Sequence, residues 1–155
     1  MMSGYQQRMS VGFVGSGSGM TEKQMEQLLW LLIQSDPTEV HHGDGLGADA
    51  QFHGMVCSLG IPTILHPSTD IGNRGFGEPF TRRFEPRTSD ERNQDIVNDS
   101  MILIAATFGD EPTDDHSEMW NVIRQARQAG ILIVLIYPDG QWELEKCYET
   151  SDGTT

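Results

Sequence analysis

Basic residues are scarce in this sequence: ten Lys and Arg stand against 23 Asp and Glu, giving a formal net charge of −13. Such a field repels phosphate backbones at long range and argues against non-specific nucleic-acid binding. Cysteine is nearly absent, with only Cys57 and Cys147. Cys57 falls in an apolar helical pattern and Cys147 in a polar tail, so the two read as plain thiols instead of a disulfide framework. Long hydrophobic runs are missing as well. No stretch approaches the ~20 consecutive apolar residues of a membrane span, and the opening Met1-Met2-Ser3-Gly4-Tyr5 lacks the apolar core of a secretion signal. A cytoplasmic protein with no membrane and no nucleic-acid partner is the expectation. Apolar residues make up 37% and aromatic residues 8%, modest but globular values, and 155 residues suffice to close one core.

What is present is a rhythm of short apolar runs and helical-period segments. Val11-Gly12-Phe13-Val14 reads as a first strand, broken by Gly15-Ser16-Gly17-Ser18-Gly19. Thr21-Glu22-Lys23-Gln24 has the form of a capping box and predicts a helix with Met25, Leu28, Leu29 and Leu32 on its inner face. Glu39 to His42 reads as a second strand, followed by a Gly-rich turn and a helix carrying Phe52, Met55, Val56 and Leu59. Thr63 to His66 makes a third. Pro67 to Thr88 has no steady period, and loops of that length in compact domains tend to be functional. Thr88-Ser89-Asp90-Glu91 offers a second capping box before a short helix through Ile96 and Val97. Met101 to Ala106 and Ile131 to Tyr137 are near-continuous apolar strands, with a helix carrying Trp120, Ile123 and Ala126 between them. Strands without alternation are buried on both faces, as in a parallel sheet covered by helices. The chain therefore predicts an α/β fold: one doubly wound domain with a mostly parallel five-stranded sheet and four helices on both faces. The domain is placed at residues 8–140. The remainder, 141–155, reads as an acidic C-terminal tail, frayed or forming a short helix.

In such a sheet, ligands collect outside the carboxyl ends of the strands. Four segments converge there. Gly15, Ser16 and Gly17 could bring backbone N–H groups to an anion, or simply make a tight turn. In the second segment, Gly45 and Gly47 imply close backbone approach, and Asp44 and Asp49 could accept from ribose hydroxyls or an exocyclic amine. Asp49 could equally complement a helix dipole, worth about 0.3–1 kcal/mol. His41 and His42 have no cysteine nearby and no H-x-x-x-H spacing, so they read as packed histidines, and no metal is expected. The third segment carries Arg82, Arg83, Arg87 and Arg92, which can present forks to a phosphate or pair with Glu85, Asp90 and Glu91. The fourth is the acidic stretch Asp110-Glu111-Pro112-Thr113-Asp114-Asp115-His116, leading to Glu118. It reads first as a helix-capping loop. A divalent cation at 110–118 and a catalytic carboxylate at Glu118 are the alternatives, and otherwise no cofactor is expected.

The run His41-His42-Gly43-Asp44-Gly45-Leu46-Gly47-Ala48-Asp49 resembles the SLOG superfamily. So do Gly15 to Thr21, Arg92-Asn93-Gln94-Asp95-Ile96-Val97 and the closing Tyr137-Pro138-Asp139-Gly140. More narrowly, the chain is similar to the small members related to the YspA and YpsA-like branch. The resemblance spans roughly residues 10–140 and implies a Rossmann-like sheet with a pocket for nucleotides or nucleotide-derived signals. The superfamily includes the Lonely Guy phosphoribohydrolases, the DNA-processing protein A family and sensor domains of bacterial immune systems, so a bacterial or phage defence setting is implied. By that likeness Gly15, Ser16, Asp44, Gly47, Asp49, Arg92 and Asn93 would line the site. One departure stands out. Relatives carry a Gly-Gly-Thr or Ser-Gly-Thr phosphate turn before the fourth helix, where this chain has Ser117-Glu118-Met119. A carboxylate beside a phosphate is electrostatically costly, and the Lonely Guy catalytic signature is also missing.

The expected function is binding, for sensing or sequestration, of a nucleotide-like small molecule. The alternative is an N-glycosidase or phosphoribohydrolase on nucleoside monophosphates, with Glu118 or Asp44 as acid or base. The resemblance favours a homodimer or homotetramer.

Overall fold

The computed structural model describes residues 7–112 and 117–146. Its elements run β1 (Ser10–Gly15), α1 (Glu22–Ser35), β2 (Glu39–His42), α2 (Ala48–Ser58), β3 (Thr63–Leu65) and β4 (Arg82–Arg83). They continue through α3 (Ser89–Asn98), β5 (Ile102–Ala106), α4 (Glu118–Ala129), β6 (Leu132–Ile136) and β7 (Trp142–Glu145). The strands form one sheet in the order β4-β3-β2-β1-β5-β6-β7, parallel throughout except for the β6–β7 pair.

Alternation explains why both faces are covered. Along β5 and β6, successive side chains point to opposite faces, and every one of them is apolar. Leu103, Ala105, Ile133 and Leu135 join Trp120, Ile123 and Ala126 of α4 and Val97 of α3 in one core. Ile104, Ala106, Val134 and Ile136 join Leu28 and Leu32 of α1 and Phe52 and Val56 of α2 in the other. Phe13 of β1 stacks on Phe52, ring centroids 4.3 Å apart and 6° from parallel. Each such fully buried side chain contributes about 1.5–3 kcal/mol of apolar transfer. No described helix is long and apolar enough to cross a membrane.

Both capping boxes form. The Thr21 hydroxyl accepts from the Gln24 N–H while the Gln24 side chain accepts from the Thr21 N–H, and Thr88 and Glu91 repeat the exchange. The inner face of α1 differs from its periodicity: Gln24, Leu28 and Leu32 are buried, whereas Leu29 is exposed. Gln24 takes the inner position because its amide nitrogen donates to the carbonyls of Thr107, just past β5, and Ile136, the last residue of β6, at 2.8 and 3.0 Å.

The sheet has seven strands, two more than the five expected. β4 is two residues long and lies inside the aperiodic segment, where no pattern could mark it. β7 follows the turn at Pro138 to Gly140 and pairs antiparallel with β6, so Trp142–Glu145 form a strand and the sheet runs on to Glu145, while residues 147–155 of the expected tail lie outside the described residues. Its alternation of Trp142 and Leu144 with Glu143 and Glu145 is a strand pattern that the acidic composition obscured.

Candidate functional site

Strand order reverses beside β1, with β2 on one side and β5 on the other. Loops leaving adjacent strand ends diverge at such a point and leave a crevice. Here the crevice is a cavity of about 400 Å³, within the range of about 300–1,000 Å³ usual for small-molecule sites. Most of its wall comes from four places, with Asn73 added from the segment after β3. Val14 to Gly17 end β1, and Gly43, Gly45, Leu46 and Asp49 follow β2. Arg92, Asn93 and Ile96 come from α3, while Phe108 and Ser117 to Met119 come from the end of β5 and the start of α4.

Two glycine loops are pressed together to make this mouth. The carbonyl of Ser16 accepts from the N–H of Gly19 at 3.1 Å and from that of Ala48 at 2.9 Å, tying the first loop to the start of α2. Gly47 caps that helix at φ +70°, and a Cβ there would collide with the carbonyl of Gly17. Only glycine tolerates both the left-handed backbone and the contact.

Charge in the cavity is arranged around Arg92. Its NH1 donates to the carbonyl of Gly43 at 2.6 Å and to that of His66 at 3.2 Å, and its Nε donates to Asn93 Oδ1. NH2 donates to Glu118 Oε1 at 2.6 Å, across the opening. A Cβ on Gly43 would come within 2.5 Å of that guanidinium, so the residue is glycine to let Arg92 lie flat on the backbone. Asp49 Oδ2 accepts from the N–H of Gly45 at 2.9 Å. Burial pushes the Asp49 carboxyl up to about 6, against the pull of the Gly45 N–H and Arg92, while Asp44 and Glu118 push it further up. Asn93 is buried, and its Nδ2 has no hydrogen-bond partner among the described residues. Such an orphaned donor is rare and costs about 1–3 kcal/mol unless something accepts from it.

Seven of the eleven expected ligand-contacting residues line this cavity: Gly15, Ser16, Gly17, Gly45, Asp49, Arg92 and Asn93. Gly47 supports it from behind. Asp44 turns away. At φ +55° and 2% exposure, its Oδ1 accepts from the Gly77 N–H at 2.8 Å and its Oδ2 lies 3.5 Å from Arg74. It thereby holds the 74–77 loop beside a separate cavity of about 270 Å³ that His42 and His53 also line. Arg82 and Arg83 sit on the exposed edge strand, stacked over Phe84 and Phe80, and Arg87 pairs with Glu91 and Asp95. None of the three reaches the cavity.

Of the catalytic candidates, Glu118 lines the mouth and Asp44 does not. In the acidic stretch, Glu111 bridges Arg124 and Arg127 of α4 at 3.1 and 2.9 Å, which engages it in an ion-pair network. Thr113, Asp114, Asp115 and His116 lie outside the described residues. Asn73 and Phe108 were missed. Asn73 comes from a short 3₁₀ turn in the aperiodic segment and carries no pattern. Phe108 does carry one, because an aromatic two residues past the strand at a switch point stands where a ligand would lie.

No family model and no curated protein matches this sequence. Two solved structures are similar to it in fold. The molybdenum cofactor binding protein from the phototrophic bacterium Rippkaea orientalis superposes with a TM-score of 0.65 at 16% identity, over 86% of this chain and 78% of that one. TM1055, a structural-genomics target, superposes with a TM-score of 0.59 at 14% identity, over 81% of this chain and 72% of that one. Both likenesses show the fold alone, a Rossmann-like α/β domain.

Proposed function

We propose that the switch-point cavity binds a nucleotide or nucleotide-derived small molecule, and that the chain senses or sequesters it. One observation carries this reading. A cavity of ligand size holds a buried amide donor, Asn93 Nδ2, that nothing in the described protein satisfies, beside a carboxyl at Asp49 and an exposed aromatic at Phe108. A planar heterocycle offers an acceptor for the first, a donor for the second and a face for the third. The neighbour in fold named as a molybdenum cofactor binding protein supports a small-molecule partner of this kind. Phosphate is the less favoured part of the ligand. The guanidinium of Arg92 is held by Glu118, so an anion must displace that carboxylate before it gains the fork.

The test is to incubate the purified chain with a nucleotide panel and follow the filtrate by mass spectrometry before and after heating. A binder depletes one nucleotide and returns it intact on denaturation. If none is depleted, the reading fails.

A second reading, N-glycosidase activity, is favoured by Glu118 standing at the mouth opposite an Asp49 carboxyl raised to about 6. Free base and ribose phosphate in the filtrate would establish it, and Glu118→Gln would then abolish turnover while leaving affinity nearly intact.

For assembly as a homodimer or homotetramer, α1 supplies the face. Leu29, Trp30 and Ile33 are exposed there beside Trp142 of β7, with the two indole rings 6.4 Å apart. Light scattering on Trp30→Ser checks it: a shift to monomer is expected.

A further inference from the structure

β2 presents a histidine to each face of the sheet, and the two have different surroundings. His42 faces α2, where its Nε2 lies 2.9 Å from His53 Nδ1. His41 faces α3, where its Nδ1 lies 2.9 Å from Nε2 of His66, just past β3. Nε2 of His66 is in turn 3.9 Å from Oδ2 of Asp99, the residue that ends α3. On its far side, His41 Nε2 meets Glu39 Oε2 at 2.6 Å. Neither His41, His66 nor Asp99 lines the switch-point cavity.

We propose that His41, His66 and Asp99 form a binding site for one divalent transition-metal ion of the Zn²⁺ class, distinct from the ligand cavity and independent of the nucleotide reading. Two imidazoles and one carboxylate are a complete protein set for such an ion, with a fourth position left for water.

Geometry supports it first. The three donor atoms all lie within 4.8 Å of one another. Bonds of about 2.0–2.2 Å to one tetrahedral ion set ligand atoms roughly 3.3 Å apart. The two ring nitrogens therefore need to part by a few tenths of an ångström, and the carboxylate, on a 39%-exposed side chain, needs only to swing inward. The outer partner is also in place. Glu39 accepting from the Nε2–H of His41 leaves the Nδ1 lone pair directed at the site, the carboxylate–histidine arrangement that orients metal-bound imidazoles. With the site empty, that lone pair accepts the Nε2–H of His66. Metal entry requires the His66 proton to move to Nδ1 through solvent, with no net change in charge on the ring.

Electrostatics agree. Asp99 places a negative charge at the negative end of the α3 dipole, and no basic residue in the last turn of that helix offsets it. A cation there removes the conflict. Opposing it are Arg82, stacked over the Phe84 ring that lies 4.8 Å from His66, and Arg92, whose NH1 meets the His66 carbonyl. Arg8 reaches the same Glu39 oxygen that faces His41, at 3.4 Å, and so offsets the charge of that outer carboxylate, not that of Asp99.

The experiment is a Co²⁺ titration of the full, chelator-dialysed chain read by visible absorption, with Zn²⁺ as competitor. One Co²⁺ per chain with the intense visible band of a tetrahedral site is expected, displaced by one equivalent of Zn²⁺. Asp99→Ala should weaken binding at least tenfold, and Glu39→Gln about 10–100-fold. Both positions are partly exposed, so the fold should survive; far-UV circular dichroism verifies this, whereas His66→Gln could simply unfold the chain. The proposal is overturned by the absence of a tetrahedral band, or by wild-type affinity in Asp99→Ala. A sulfur-to-cobalt charge-transfer band lost in Cys57→Ser or Cys147→Ser would also overturn it, because the ion would then sit on a thiol.

Discussion

The two halves of the sheet are built from different materials. On the β5–β6 side, ten strand residues are all apolar and both faces lie under helices. On the β2–β3 side, the buried set includes His41, His42, His53 and His66, together with Asp44, Thr63 and Ser68. The first half is stabilised by area removed from water, which is non-directional and tolerant of pH. The second depends on directional networks whose strength depends on protonation. Both candidate sites draw on the second half: residues after β2 line one wall of the cavity, and β2 and the end of β3 supply the histidine pair.

The sharpest way to break this contrast is to damage the apolar half. Ile123→Ala, which hollows out a fully buried position under β5 and β6, should cost about 2–5 kcal/mol in chemical denaturation. Next comes acid. Burial holds His42 and His66 at about 3 in the folded chain, so between there and the ordinary value near 6.5 the unfolded chain binds the extra protons. Stability is therefore full above that ordinary value and falls with pH at about 1.4 kcal/mol per unit for each histidine. Asp49 runs the other way: raised from 3.8 to about 6, it adds stability as pH falls through that interval. Two histidines outweigh one aspartate, so urea midpoints should drop from pH 7 to pH 4.5, and hydrogen exchange should open β2 and β3 before β5 and β6. Simultaneous opening of both halves would show the contrast to be empty. Smaller still, Arg92→Ala should cost about 1–3 kcal/mol by orphaning the Gly43 and His66 carbonyls, and should abolish ligand uptake. Least of all, Arg83→Ala on the exposed edge should stay within about 0.5 kcal/mol and leave uptake unchanged, measured by the same denaturation and filtrate assays.

The apolar half was the legible one. Unbroken runs such as Ile102–Ala106 state their burial directly, and the boxes at Thr21 and Thr88 state where helices begin. At the site, residues fixed by chain direction were also legible: Gly15 to Gly17 follow a strand and Arg92 opens a helix. What could not be read depends on single dihedrals and distant partners. A positive φ at Asp44 swings its carboxylate out of the cavity, while Asp49, five residues on and also an aspartate, stays in it. Arg82 and Arg92 are the same residue type, and only the edge position of β4 separates a solvent-facing stack from a half-buried fork. Spacing alone reads His41 and His42 as packed histidines, and the 2.9 Å approach of His41 to His66, 25 residues away, is one that no local spacing rule covers.

Gln24 has a further consequence. Its amide ties the start of α1 to the ends of β5 and β6, and the Thr21 hydroxyl adds a bond to the carbonyl of Pro138 at 2.7 Å. The 15–19 loop is thus anchored at one end by a central strand and at the other by a bolted helix. It acts as the fixed jaw of a vise. Under the proposed binding function, fitting ligands of different girth would fall to the opposite jaw, where the ion pair between Arg92 and Glu118 closes the gap.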